Sequence, residues 1–228
     1  LGFAPSELAG VLITHEHDDH VGGAFQFAAR HRLTVWLTWG TLRATLEAQS
    51  QPDAGATLPF AESTTAPCAT VVIDGHDPFA IGDLEVHPFT VPHDAREPVQ
   101  YVLSDGERRL GVLTDLGAPT RHVVEMLSGV EALVLECNHD PALLARGPYP
   151  GWLKERVGGA FGHLSNQQAA ALLGELDRLR LRHLVAAHLS ETNNRPELAQ
   201  AALAAALGCS TDWICVASQE AGCDWRDV

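Results

Sequence analysis

The chain has 228 residues, 46% of them apolar, with a formal net charge of −14 and a pI near 5.1. That is apolar matter enough for a core of ordinary size. The acidity argues against passive adhesion to nucleic acid or an anionic membrane, although bound divalent cations would supply local positive charge that the formal count omits.

In chain order, "GVLIT" (10–14) is a short β-branched run that predicts a buried strand, and "HDDHVGGAFQFAAR" (17–30) follows with helical spacing of Val21, Ala24, Phe25 and Ala28. A second strand over 33–38 and a helix over 41–49 come next, then a Pro-, Ser- and Thr-rich surface loop over 50–67. Strands are predicted at 69–74, 84–91, 99–105 and 109–115, the last two separated by the Asp105–Gly106 turn signal. The second half alternates: a helix near 120–128, a strand over 132–137, short helices within 140–157, and a helix over 165–180 opened by Ser165 and Gln168 at capping-box spacing. A strand over 183–190, a helix over 196–207 and a last strand over 212–217 complete the pattern. Strands interleaved with helices indicate an α/β protein, and the absence of repeats or linkers makes residues 1–228 one domain.

No apolar run approaches the roughly 20 residues that span a bilayer, so no membrane partner and a cytoplasmic location are expected. Cys68, Cys137, Cys209, Cys215 and Cys223 form no CxxC pair, and their odd number fits reduced thiols better than a disulfide framework. Every basic residue but Lys154 is Arg, the better phosphate fork.

The chemistry concentrates in "THEHDDHVGG" (14–23), where His15, His17, Asp18, Asp19 and His20 crowd a strand-to-helix turn. Imidazole with carboxylate suits Zn, Mn or Fe, whereas a structural zinc site would recruit cysteines. Four ligands at this spacing exceed the needs of one catalytic ion, and two ions sharing them is the natural solution. Three further candidates end apolar runs: His93 in "TVPHDA", Asp115 in "GVLTDLG" and His188 in "LVAAHLS". His15, His17 and His93 would hold the first ion, Asp19, His20 and His188 the second, with Asp115 between them.

These residues, in this order, resemble the metal motifs of the metallo-β-lactamase superfamily. The stretches "VPHDAREPVQY", "ECNHD", "GPYPGWLKERV", "GHLSNQQAA" and "HLSETNN" are similar to its YycJ (WalJ) subgroup. The resemblance implies a four-layer αβ/βα sandwich with metals between two sheets, and a metal-dependent hydrolase. For this subgroup it implies a 5′-to-3′ exonuclease on double-stranded DNA. It also implies strands with an Asp-x-Gly element ahead of the first metal motif. None stands before Val11, so the N-terminal strands are expected to be missing from this chain.

Two divalent ions, Zn or Mn, would lower the pKa of a shared water toward ~7, and the resulting hydroxide would attack phosphorus or a carbonyl carbon. Asp19 would orient it. His163, in "FGHLSN", is the candidate general acid. It resembles the His of the "GHST" element of tRNA-processing RNase Z, and a phosphate could meet it together with the Ser165 hydroxyl and the helix N–H groups. In "ECNHD", Glu136 and His139 could hold the acid in its tautomer or touch substrate, while Asn138 and Asp140 could equally form a turn that caps the next helix. Lys154 and Arg156 read equally as phosphate contacts or as a solvated helix face. Rival functions are a thioester hydrolase like glyoxalase II, which shares the "THxHxDHxGG" form, and a metal-binding signalling or adaptor protein.

Overall fold

The computed structural model describes residues 2–49 and 68–228, so the loop expected over 50–67 lies outside the described residues. A parallel three-stranded sheet has the order β1-β2-β3, with β1 Gly10–Leu12, β2 Thr34–Thr38 and β3 Ala69–Ile73. A seven-stranded mixed sheet has the order β10-β9-β8-β7-β6-β5-β4. Its strands are β4 Phe79–Ile81, β5 Leu84–Thr90, β6 Val99–Ser104, β7 Arg109–Leu113, β8 Ala132–Glu136, β9 His183–Ala187 and β10 Cys215–Val216. Pairing is antiparallel from β4 to β7 and parallel from β7 to β10.

Side-chain alternation builds the layers. On β2, Val35 and Leu37 point toward Phe25 and Ala28 of α2 (Ala24–His31), while Trp36 points the other way. Trp36 and Leu12 pack with Ile73 against Val86, Val99 and Tyr101 of the large sheet, forming a thin core between the sheets. On the far face of the large sheet, Leu113, Leu133, Leu135, Leu184 and Ala186 meet three helices, α4 (Arg121–Leu127), α7 (Asn166–Glu175) and α8 (Pro196–Leu207). Helix, sheet, sheet, helix is the αβ/βα sandwich. Among the described residues no helix is long and apolar enough to cross a membrane.

The departures from the sequence pattern have local causes. The helix expected over 17–30 divides at Gly22–Gly23 into α1 (Asp18–Val21) and α2. The helix expected to reach 180 stops at Glu175: Leu176 turns extended to bury itself in the core, and Asp177 is held by the Ser128 hydroxyl and the Gly129 N–H. The last strand shrinks to Cys215–Val216 because Ser210 caps a 3-10 turn over Thr211–Trp213. The short strand β4 is unforeseen, although its two-residue hairpin to β5 through Gly82 (φ +59°) carries the Gly-Asp turn signal. The remaining helices of the second half are α5 (Pro141–Arg146), capped by Asp140, and α6 (Gly151–Val157); α3 is Trp39–Gln49.

Candidate metal centre

The candidate ligands collect where the two sheets meet. His15 lies in the turn after β1, His17 is the N-cap of α1, and Asp19 and His20 stand on α1. From the large sheet come His93 after β5, Asp115 after β7 and His188 after β9. Asp115 (φ +61°) and His188 (φ +56°) both take left-handed backbone, rare for non-glycine residues, which turns each side chain inward as the strand ends.

Two donor groups form. In the first, His15 Nε2 is 2.9 Å and His93 Nε2 3.3 Å from His17 Nδ1. A tetrahedral ion with Zn–N distances of about 2.0–2.1 Å spaces its ligand nitrogens by ~3.3 Å, so this group is of a size to close on one cation. In the second, Asp19 Oδ2 lies 3.5 Å from both His20 Nε2 and His188 Nε2. Asp115 stands between, with Oδ2 3.0 Å from His20 Nε2 and Oδ1 3.8 Å from His93 Nε2. Despite that approach, His20 Nε2 and Asp115 Oδ2 are buried without a properly angled hydrogen bond. Orphaned polar atoms of this kind are costly unless something bridges them, and a divalent cation suits both.

Supporting contacts set the tautomers. His93 Nδ1–H donates to the Gly162 carbonyl at 3.0 Å, leaving Nε2 for the cluster. Thr14 Oγ1 is 3.0 Å from Nδ1 of both His15 and His20, and a hydroxyl has lone pairs for both N–H groups. Burial pushes the His15 pKa down to about 3, keeping it neutral and fit to ligate. Burial opposes the charge of Asp115, but the neighbouring imidazoles of His20, His188 and His15 outweigh it and hold the carboxyl well below its usual range.

Glu136, at the end of β8, is the hub. It is wholly buried, and its Oε1 accepts from Nδ1–H of His163 and of His188, both at 2.9 Å, and from the Asp115 N–H at 3.1 Å. Oε2 accepts from the N–H groups of Leu116 at 3.0 Å and Leu164 at 2.9 Å. Burial alone would raise the Glu136 pKa, yet His163 and His188 together hold it below the usual range. Conversely, burial pulls His163 down, but the Glu136 hydrogen bond and the charges of Glu136 and Asp115 raise it above its ordinary value. For His188 the same contest, with Asp19 and Glu136 opposing burial, ends with the pKa pushed up to about 11.

Of the residues expected to touch substrate, Asn138 lines a cavity of about 950 Å³ beside the cluster and donates from Nδ2 to the His188 carbonyl at 3.2 Å. Ser165 and His139 are buried and line neither that cavity nor a smaller one next to it. At the start of α7 two main-chain N–H groups are already engaged within the fold. Asn166 N–H donates to the His139 carbonyl, and Gln168 N–H to Ser165 Oγ inside a completed capping box. Asp140 caps α5, as the turn reading of "ECNHD" has it, while Glu136 takes the tautomer-holding role. Thr14, Asp94 and Gly162 are supports that the sequence reading does not single out; Thr14 and Asp94 each adjoin a candidate histidine, and Gly162 adjoins His163.

A family model described as a beta-lactamase superfamily domain matches residues 3–189. Exodeoxyribonuclease YycJ of Bacillus anthracis is 31% identical over 198 residues, covering 86% of this chain and 69% of that protein. This chain belongs to the metallo-β-lactamase superfamily, in its YycJ subgroup. The fold agrees with two solved structures of similar shape. The metallo-β-lactamase fold protein YhfI from Bacillus subtilis has a TM-score of 0.68 at 16% identity, covering 97% of this chain and 78% of that one. Zn(2+)-bound PqqB from Methylobacterium extorquens has a TM-score of 0.64 at 20% identity, covering 96% of this chain and 71% of that one. A metallo-β-lactamase-fold chain with this His and Asp cluster is a metal-dependent hydrolase.

Proposed function

We propose that the enzyme is a phosphodiesterase, a 5′-to-3′ exonuclease acting on double-stranded DNA. The observation that carries this is the Glu136–His163 pair at the edge of the cleft: a half-buried imidazole whose Nδ1–H is held at 2.9 Å by a buried carboxylate, which favours its protonated form. An alkoxide leaving group needs that proton, whereas a thiolate, with a thiol pKa of about 8.5, leaves with far less help. This favours a phosphodiester over the thioester of the glyoxalase-like reading. The name of the Bacillus anthracis relative supports DNA as the diester. An adaptor would have no use for a poised acid next to a complete donor set.

In this reading His15, His17 and His93 hold one divalent cation, Asp19, His20 and His188 the other, and Asp115 lies between them; zinc and manganese both suit these donors. Bound there, the cations supply Lewis acidity and bring the pKa of water toward ~7. Asp19, whose side chain is exposed to the cleft, orients the attacking water. His163 keeps Nδ1–H on Glu136 and offers the proton of Nε2 to the leaving oxygen. Asn138 fixes the His188 turn from behind.

The test is incubation of the manganese-loaded protein with end-labelled duplex DNA, beside His163→Ala. Stepwise loss of nucleotides, reduced ~10²–10⁴-fold in the variant while metal content is kept, supports the reading. Absence of cleavage by protein shown to hold its metal would remove it.

A further inference from the structure

Two chambers flank the cluster, and Asp19, Tyr149, Val157 and His163 line both. The larger, about 950 Å³, runs past Ser190 and Arg195 toward the start of α8. The smaller, about 380 Å³, is closed by His17, Asp94, Leu153 and Arg156. We infer that the small chamber receives the 5′-terminal nucleotide of the substrate strand, with its terminal phosphate on Arg156, while the rest of the strand lies in the large chamber. The inference rests on the exonuclease reading and deepens it.

Size and the geometry of Arg156 favour this partition. Small-ligand pockets span roughly 300–1,000 Å³, so the small chamber sits at the low end and suits one nucleotide, while the large one admits more of the strand. Arg156 is the one Arg or Lys among the residues lining the small chamber, beside four carboxylates, of which Asp19 and Asp115 belong to the donor cluster, Asp94 is paired with Arg156 and Asp18 stands apart. Asp94 Oδ2 accepts only from its Nε, at 2.5 Å, and Nη1 and Nη2 have no hydrogen-bond partner among the described residues. A guanidinium steadied at Nε and open along its other edge is arranged to grip a phosphate with two parallel N–H donors. The other oxygen of Asp94 is 3.7 Å from His17 Nε2 and 3.5 Å from His93 Nε2, so a single carboxylate separates the guanidinium from the donor cluster. Tyr149, between Pro148 and Pro150, offers an aromatic face at the wall shared by the chambers.

The chemistry agrees with the layout. The water oxygen, one proton released to solvent, forms a bond to phosphorus, the bond from phosphorus to O3′ of the terminal nucleotide breaks, and His163 gives its Nε2 proton to that O3′ and regains one from solvent. His163 lines both chambers, so the released mononucleotide is left in the small one. The shortened strand keeps the new 5′-phosphate on the large-chamber side.

The test compares kcat/KM of the manganese-loaded enzyme on one duplex carrying either a 5′-phosphate or a 5′-hydroxyl. The expected wild-type preference for phosphate is roughly 10-fold or more, the factor that one charge-assisted contact supplies. It should fall to about 1 in Arg156→Ala and lie between in Arg156→Lys. A merely structural role for Arg156 would slow both substrates alike and leave the ratio unchanged, which would overturn the assignment. Degradation by wild type without any phosphate preference would also overturn it, while sparing the exonuclease reading. Failure to degrade either duplex would remove both together.

Discussion

Replacing Glu136 by Gln changes one atom and the charge, and it should do disproportionate damage. The carboxylate receives five N–H donors and is wholly buried. A glutamine carries one acceptor oxygen, so in either orientation its NH2 group faces N–H donors. If the amide nitrogen takes the Oε2 place, it opposes the main-chain groups of Leu116 and Leu164. If it takes the Oε1 place, His163 and His188 must move their protons to Nε2, and His188 can no longer offer that nitrogen to a cation. Breaking a buried charged network costs about 3–5 kcal/mol, most of the stability of a marginal domain. Losing a supporting partner of metal ligands costs about 10–100-fold in affinity or rate, and a weakened general acid adds further, for a combined fall in kcat of about 10²–10³-fold. Thermal unfolding, metal titration and phosphodiester turnover read the three effects separately. A variant with turnover and metal affinity within about threefold of wild type would refute the hub role.

Asp115→Asn should lose bound metal and turnover together, since it removes charge from the position between the two donor groups; full occupancy by metal analysis would take Asp115 out of the site. Gly162→Ala should lower activity strongly without touching a donor atom, because the added Cβ would fall 2.1 Å from the Arg156 carbonyl and 2.3 Å from that of Val157, displacing the segment that holds His93 and His163. Steady-state kinetics checks this, and unchanged turnover would contradict it. For metal-free protein, acidification from pH 6.5 should lower Tm progressively. His15 in the folded chain resists protonation until about pH 3, so the unfolded state binds the extra proton between those values. The depressed carboxyls of Asp115 and Glu136 act in the same direction further into acid. A metal-free Tm that stays flat from pH 6.5 to 4 would refute the burial argument.

Much of the site was legible because strand ends betray themselves. His93, Asp115 and His188 each close an apolar run, and the run "HEHDDH" is too dense in donors to be a solvated turn. Glu136 closes an apolar run in the same way. What no linear pattern reveals is that its carboxylate meets donors from three other segments, at Asp115–Leu116, His163–Leu164 and His188. The helix start at Ser165 was legible as a cap, but not that the Asn166 N–H would be taken by the His139 carbonyl. The α/β class follows from alternation and periodicity and the four-layer αβ/βα order from the family resemblance, whereas the early stop of α7 depends on Leu176 finding the core and Ser128 seizing Asp177, contacts remote in sequence. Arg156 could be weighed only as surface or as phosphate contact until Asp94 was seen to hold one edge of its guanidinium.

The thin layer between the sheets has a mechanical consequence. On the small sheet's side His15, His17, Asp19 and His20 reach across; on the other, His93, Asp115 and His188 reach back, and among the described residues only Ile73, Val86, Val99 and Tyr101 are buried in the apolar cluster of that layer. Ions gripped by both sides would act as rivets between two leaves, tying cohesion to cation supply through binding to the folded state alone. Chelation should then loosen the N-terminal leaf as a unit, with amide exchange rising over 10–38 well before it rises in β7, β8 and β9. The ions that drive the chemistry would also clasp the molecule shut.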